Sequence, residues 1–175
     1  MSDDPSTRPT LCLWGFMGTG KSTLGRALSE QVRLPFVDLD ARIEAATGQS
    51  IATLFAVQGE AAFRAREAIE LRGLLHRRER GIIALGGGSL LDDGVRAEAL
   101  AAAYVVSLVA PAATILERIG ASDRPLLGND PASRLGELLE RRRPFYRQAH
   151  ASLSSADASV ETIVAALCGL WRGWN

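Results

Sequence analysis

The sequence predicts a single α/β domain built on a doubly wound parallel sheet. Three observations carry this expectation: short apolar runs alternate with helical stretches, the first run delivers a glycine-rich loop into a helix, and the chain is the size of one core. Its 175 residues, 47% hydrophobic and 23% charged, suit one globular unit rather than a multidomain assembly.

Residues 1–10 lack the basic start and apolar run of a leader and read as a disordered tail, leaving 11–175 as the domain. Leu11 to Phe16, Phe36 to Leu39, Ile82 to Leu85 and Tyr104 to Ala110 are short, rich in β-branched or aromatic residues and bounded by Gly, Pro or Asp, as buried parallel strands are. Between them, Lys21 to Val32, Asp40 to Ala46, Glu60 to His76, Val95 to Ala102 and Ala112 to Ile119 are helical by propensity. A weak fifth strand near Ser152 to Ser154 and a last helix from Ser159 to Leu170 complete the pattern. The uncharged run from Ala99 to Leu116 is interrupted by Ser107 and Pro111, and reads as a helix end and a strand rather than a membrane span.

Twenty acidic residues balance twenty basic ones, so no global field draws in nucleic acid or an anionic membrane, and any phosphate-binding charge must be local. Cys12 and Cys168 have no ligand-like spacing and fit a reducing cytoplasm. His76 and His150 lack the companions of a metal site, Trp14 belongs to a core strand, and Trp171 and Trp174 read as packing at the chain's end.

Gly15-Phe16-Met17-Gly18-Thr19-Gly20-Lys21-Ser22 matches GxxxxGK[ST] in the strand-to-helix context that motif requires. Glycines let the backbone wrap an anion, so that N–H groups and the helix N-terminus point at phosphate oxygens. Lys21 is the single lysine beside nineteen arginines, which marks a position where a compact charge serves and a planar fork does not. It reads as the bridge to the outer phosphates of the ligand, with the Ser22 hydroxyl a ligand for Mg2+.

The second strand ends in Asp38-Leu39-Asp40, and alternation along a strand would put both carboxylates on one side. Asp38 is then placed to hold the metal through water, and Asp40 to accept a proton from an attacking hydroxyl. Spacing alone leaves Asp40 open between that role and capping the next helix. Arg64, with Glu67 one turn on, offers a fork for a carboxylate or an ordinary solvated pair. Gly86 to Gly88 bare the backbone at the same sheet edge, for a ligand or for a tight turn. Arg118 to Asp130 is crowded with breakers and reads as a mobile loop.

The phosphate loop GFMGTGKSTLGR, the DLD, the segment Phe55-x-x-x-Gly59-Glu60-x-x-Phe63-Arg64, the triple glycine and Arg124-Pro125-Leu126-Leu127 stand in the order and spacing of shikimate kinase, which the chain resembles over nearly all its length after the tail. The resemblance implies a P-loop fold of the nucleoside monophosphate kinase type with a five-stranded parallel sheet, a substrate-binding region at about 38–66 and a lid at about 119–131. It implies MgATP-dependent phosphorylation of the 3-hydroxyl of shikimate, on the route to chorismate and the aromatic amino acids.

Carried over residue by residue, it implies Lys21, Asp40 and Arg124 as catalytic, with Gly15, Gly18, Thr19, Gly20, Ser22, Thr23 and Arg118 also on ATP. Around shikimate it implies Asp40, Phe55, Phe63, Arg64, Glu67, Gly86, Gly87, Gly88 and Arg142. Arg142 is selected from Arg141, Arg142 and Arg143 because it stands four residues before Tyr146, and helix geometry lets only one of three successive side chains face a pocket. Two departures from the family stand out: Arg118 is about one residue closer to Arg124 than in relatives, and Ser155 to Ser159 lacks an expected proline.

The implied partners are ATP and shikimate, acting on a monomer with neither nucleic acid nor membrane. A gluconate-type kinase of the same fold should lack the Arg64 and Arg142 pair. A non-catalytic, shikimate-kinase-like ligand sensor should carry a DNA-binding region ahead of the domain and has no need of Lys21, Asp40 and Arg124 together.

Overall fold

The computed structural model describes residues 9–77, 80–120 and 131–174. Strands β1 (Leu11–Trp14), β2 (Phe36–Asp38), β3 (Ile82–Ala84), β4 (Tyr104–Val109) and β5 (Ala151–Ser154) form one sheet in the order β2-β3-β1-β4-β5, and every pairing is parallel. All five strands stand where the apolar runs put them; β1, β3 and β4 stop one or two residues earlier because the chain there turns out into loops, and β2 stops one residue earlier because α2 begins at Leu39.

Among the described residues seven helices flank the sheet: α1 (Lys21–Val32), α2 (Leu39–Thr47), α3 (Ile51–Leu75), α4 (Asp93–Ala102), α5 (Ala112–Ile119), α6 (Pro131–Tyr146) and α7 (Val160–Gly173). Side-chain alternation in β1 divides the interior into two layers. Cys12 and Trp14 pack with Leu39, Ile43, Leu71, Val95, Ile115 and Leu135 from α2 to α6. Leu11 and Leu13 pack with Leu24 and Leu28 of α1 and Ile163, Leu167 and Trp171 of α7. Helices on both faces explain why the central strands are nearly continuous in apolar residues. β2 and β5 lie at the sheet edges and are only partly buried, which is why Ala151-Ser152-Leu153-Ser154 carries so faint a strand signal.

The structure adds two helical stretches that the propensity pattern does not delimit. Residues 51–58 form the first half of α3, capped by Ser50 through its bond from the Thr53 amide at 3.1 Å, and Gly59 at φ 79° and ψ 168° then kinks the chain into the second half. A non-helical glycine at that point hides the continuity of the two segments. The other is α6, which carries Arg142.

The boundary expected at residue 10 also moves. Thr10 is buried and its carbonyl accepts from the Tyr104 amide at 2.8 Å, while the Pro9 carbonyl accepts from Trp171 Nε1 at 3.0 Å. Pro9 and Thr10 thus belong to the fold; residues 1–8, and 121–130 of the expected lid, lie outside the described residues. Among the described residues no helix is long and apolar enough to cross a membrane. His150 has a packing role: its Nδ1 accepts from the Val105 amide at 3.0 Å and its ring stacks on Tyr104.

Close approach of α1 to the sheet depends on Gly25, where a Cβ would enter the Phe36 ring and lie 3.4 Å from Leu13 Cδ1. Gly25→Ala should destabilise the protein by ~1–3 kcal/mol through overpacking. Urea unfolding should show this as a lower midpoint at constant m-value, and an unchanged midpoint would refute the contact.

Candidate active site

β1 and β3 are neighbours in register, Leu13 beside Ala84, and the Leu85 amide donates to the Leu13 carbonyl at 2.9 Å. The loops that follow these strands therefore leave the sheet side by side. In the first, Gly15, Gly18 and Gly20 adopt φ of 141°, 76° and 84°. Space is also short: a Cβ on Gly15 would collide with the Leu108 carbonyl, and one on Gly18 would lie 2.9 Å from Ile119. The buried Thr19 hydroxyl braces the turn by donating to the Phe16 carbonyl at 2.7 Å. Lys21 opens α1, and its ammonium donates to the carbonyls of Gly15 and Phe16, each at 2.9 Å.

Asp38 joins this loop to α2. Its Oδ2 accepts from the Ser22 hydroxyl at 2.5 Å, while Oδ1 accepts from the amides of Asp40 at 3.1 Å and Ala41 at 3.3 Å. Two expectations are corrected here. The strand ends at Asp38, so Asp40 occupies the first turn of α2 and does not share a strand face by alternation; and the helix cap is Asp38, not Asp40. Freed from capping, the Asp40 carboxylate borders the cavities.

Two adjoining cavities occupy this sheet edge. The first, of about 550 Å³, is lined by residues 17–24 of the loop and α1, with Asp38, Arg118 and Ser155. The second, of about 530 Å³, is lined by Ile51, Phe55, Phe63, Arg64, Glu67, Gly88 and Arg142. Met17, Asp40, Gly86 and Gly87 border both. Each glycine of the triplet stands against a different part of the site. A Cβ on Gly86 would lie 2.8 Å from Glu67 Oε1 and 3.0 Å from Asp40 Oδ1; on Gly87, 3.2 Å from the Gly15 carbonyl and 3.5 Å from Arg142 Nη1; on Gly88, it would collide with the Arg64 guanidinium.

Arg64 is held by Glu67, Nη1 to Oε2 at 2.6 Å, and lies over the rings of Phe55 and Phe63 at 5.7 and 5.1 Å. Glu67 is buried and takes a second bond from the Ser89 hydroxyl at 2.5 Å. Arg142 lies over Phe16 at 5.3 Å, whereas Arg141 and Arg143 are exposed and Arg143 pairs with Glu140 at 2.5 Å. Across the first cavity, Arg118 donates through Nη2 to the Ser155 carbonyl at 2.5 Å and through Nη1 to the Ser155 hydroxyl at 3.3 Å. Arg124 lies outside the described residues.

Burial, followed by repulsion from Glu67 and Asp38, pushes the Asp40 carboxyl up to about 6, against the opposing pull of Lys21 and Arg64. Burial likewise pushes the Tyr146 phenol up to about 12, so the hydroxyl keeps its proton and donates it to the Gly87 carbonyl at 2.9 Å.

The sequence reading did not include Met17, Ile51, Ser89 or Ser155 in the site, and used Tyr146 only to set a register. Met17 alone had a signal, being inside the loop motif. Together the residues offer an anion-binding loop, a carboxylate that titrates near neutrality, and two guanidinium groups over an aromatic-walled cavity, the equipment to transfer phosphate to a hydroxyl-bearing acid.

A family model for shikimate kinase matches residues 17–169. The chain is 42% identical over 163 residues to the shikimate kinase of Nitrobacter winogradskyi, covering 92% of this chain and 76% of that protein. It is 41% identical over 172 residues to the shikimate kinase of Thermus thermophilus, covering 96% and 92%. Among solved structures, shikimate kinase from Acinetobacter baumannii in complex with shikimate matches with a TM-score of 0.89 at 34% identity, over 94% of this chain and 93% of that one.

The raised Asp40 value has a consequence for stability. Between its ordinary 3.8 and about 6 the folded state keeps a proton that the unfolded chain has lost, so this group's contribution to stability falls as pH rises through that window. Asp40→Asn should therefore raise Tm at pH 7.5, and the gain should fade once both states are protonated, below about pH 4. A Tm difference that does not vary with pH would show that Asp40 is not held in this environment.

Proposed function

The chain belongs to the shikimate kinase family, and on that premise we propose that it transfers the γ-phosphoryl group of ATP to the 3-hydroxyl of shikimate, giving shikimate 3-phosphate and ADP. One observation carries the reading at the level of the site: Asp40 lies on the wall shared by the phosphate-loop cavity and the twin-arginine cavity. A hydroxyl acid anchored in the second cavity meets, at that wall, a phosphate held in the first.

In this reading the loop amides and Lys21 hold the phosphates, the ammonium exchanging the Gly15 and Phe16 carbonyls for phosphate oxygens. Arg64 and Arg142 pair with the substrate carboxylate, the Phe55 and Phe63 rings cover its apolar face, and the Gly86 to Gly88 backbone meets its hydroxyls. Asp40 takes the proton of the attacking hydroxyl as the new O–P bond forms and the bond to ADP breaks. A carboxyl at about 6 is ionised at neutral pH yet more basic than an ordinary one. Ser22 and Asp38 bring a hydroxyl and a carboxylate within 2.5 Å, a hard-oxygen pair that suits Mg2+. When bound, the ion neutralises phosphate charge. We assign Arg118 to the border of the nucleobase and Arg124 to the transferred phosphoryl, where a cation offsets charge in the transition state. Free, buried cysteines accord with a cytoplasmic enzyme.

A coupled assay of ADP release tests this reading. Release should require both MgATP and shikimate, and its rate should fall as pH drops through about 6, where Asp40 is protonated. Turnover of gluconate without shikimate would make the chain a gluconate-type kinase, and shikimate binding without turnover would make it a ligand sensor.

The three adjacent arginines should separate in the same assay. Arg142→Ala should raise KM for shikimate roughly 10- to 150-fold, as loss of a charge-assisted hydrogen bond does. Arg141→Ala and Arg143→Ala should each change it by less than about threefold, as expected of solvated charges. A larger effect from either neighbour would contradict the assignment.

A further inference from the structure

Among the described residues only two charged side chains are buried, Glu67 and Arg96, at 1% and 6% exposure. Glu67 belongs to the second cavity, but Arg96, on α4, lines neither. Burying a guanidinium is unfavourable unless its donors are met. Here they are: Nη1 donates to the carbonyls of Leu90 at 2.9 Å and Leu91 at 3.3 Å, and Nε donates to Gln148 Oε1 at 2.9 Å. Nη2 pairs with Asp93, whose carboxylate is 88% exposed, and the cation lies 5.3 Å over the Phe145 ring. Neutral oxygens and an aromatic face thus hold most of the charge, in the planar fork geometry only arginine offers.

The groups it joins lie on two segments. Leu90 and Leu91 end the run that begins with Gly86, while Phe145 and Gln148 flank Tyr146, one turn beyond Arg142. The same two segments meet again at the cavity, where the Tyr146 hydroxyl donates to the Gly87 carbonyl at 2.9 Å. A single hydrogen bond is a pivot; a second attachment on the far side fixes the angle.

We propose that Arg96 is a positioning residue for the carboxylate cavity: by clamping the 86–91 segment to the end of α6 it sets the separation between the triple-glycine backbone and the Arg142 guanidinium. This inference rests on the reading of that cavity as the shikimate site.

The test is steady-state kinetics of Arg96→Lys and Arg96→Met, alone and in the Arg142→Ala background, with both KM values, kcat and Tm. Each single variant should raise KM for shikimate about tenfold or more, with KM for ATP within about twofold and kcat at saturation within about threefold. Lysine should not rescue, because it cannot reach three carbonyl oxygens at once. In the Arg142→Ala background Arg96→Met should add less than about threefold, since the effect runs through Arg142.

An unchanged KM for shikimate, an equal rise in both KM values, or full additivity with Arg142→Ala would overturn the proposal, whatever Tm does. If the Arg96 variants fail to fold, Gln148→Leu removes one acceptor only, and it should raise KM for shikimate selectively by about threefold; no change there would overturn it equally. Wild-type protein that does not phosphorylate shikimate would overturn the functional reading and this inference with it. Normal wild-type turnover beside insensitive variants would overturn the inference alone.

Discussion

Two stretches of bare backbone meet at the centre of this molecule, and the site depends on their contact. Gly87 comes so close to the phosphate loop that a Cβ there would lie 3.2 Å from the Gly15 carbonyl. The contact follows from the pairing of β1 with β3, which releases both loops at one sheet edge, where ligands of open α/β sheets bind. With no side chains between them, the two loops serve as floor and wall to both cavities. Asp40 and Glu67 stand against Gly86, Arg142 and Tyr146 against Gly87, and Arg64 against Gly88. A larger residue at Gly86 or Gly88 would press on Glu67, Asp40 or the Arg64 guanidinium, and one at Gly87 would crowd the Gly15 carbonyl.

The charges around this contact work against one another. Glu67 orients Arg64 at 2.6 Å and at the same time raises the proton affinity of Asp40, so one buried carboxylate both holds the guanidinium and adds to the shift that burial imposes on its neighbour. Lys21 and Arg64 pull Asp40 the other way, and the balance with burial leaves its carboxyl at about 6. Asp38 contributes to the same repulsion while its oxygens tie Ser22 of α1 to the first turn of α2. Burial and these few contacts therefore set both the position and the proton affinity of Asp40, and its ionisation costs the fold stability.

The far end of the first cavity departs from the family pattern in an intelligible way. In the segment Ser155 to Ser159, where a proline was expected, Ser155 is buried and its amide donates to the Val109 carbonyl at 2.8 Å, next to the last β4–β5 pair. Its carbonyl accepts from Arg118, so a guanidinium braces the segment that a rigid ring would have stiffened.

The sequence by itself determined whatever depends on neighbours along the chain. The bounds of α1, Lys21–Val32, the order and number of strands, the phosphate loop and the pairing of Arg64 with Glu67 follow from local spacing, and the structure has them there. Arg142 was legible only through its register with Tyr146. What the tertiary structure decided is whatever depends on groups distant in sequence. Alternation along a strand gave the wrong account of Asp40, because Asp38 caps α2 through the amides of Asp40 and Ala41 and so ends the strand before alternation can reach Asp40. The helix over 51–58 hid behind a glycine whose helical neighbours are held by packing on the second cavity. Ser89 and Arg96 gave no functional sign, and Tyr146 gave only a register, since a hydroxyl, a guanidinium or a phenol acquires its role from the partner it reaches. Those partners, Glu67, Gln148 and Gly87, lie 22, 52 and 59 residues away in the chain, and only folding brings them within hydrogen-bond distance.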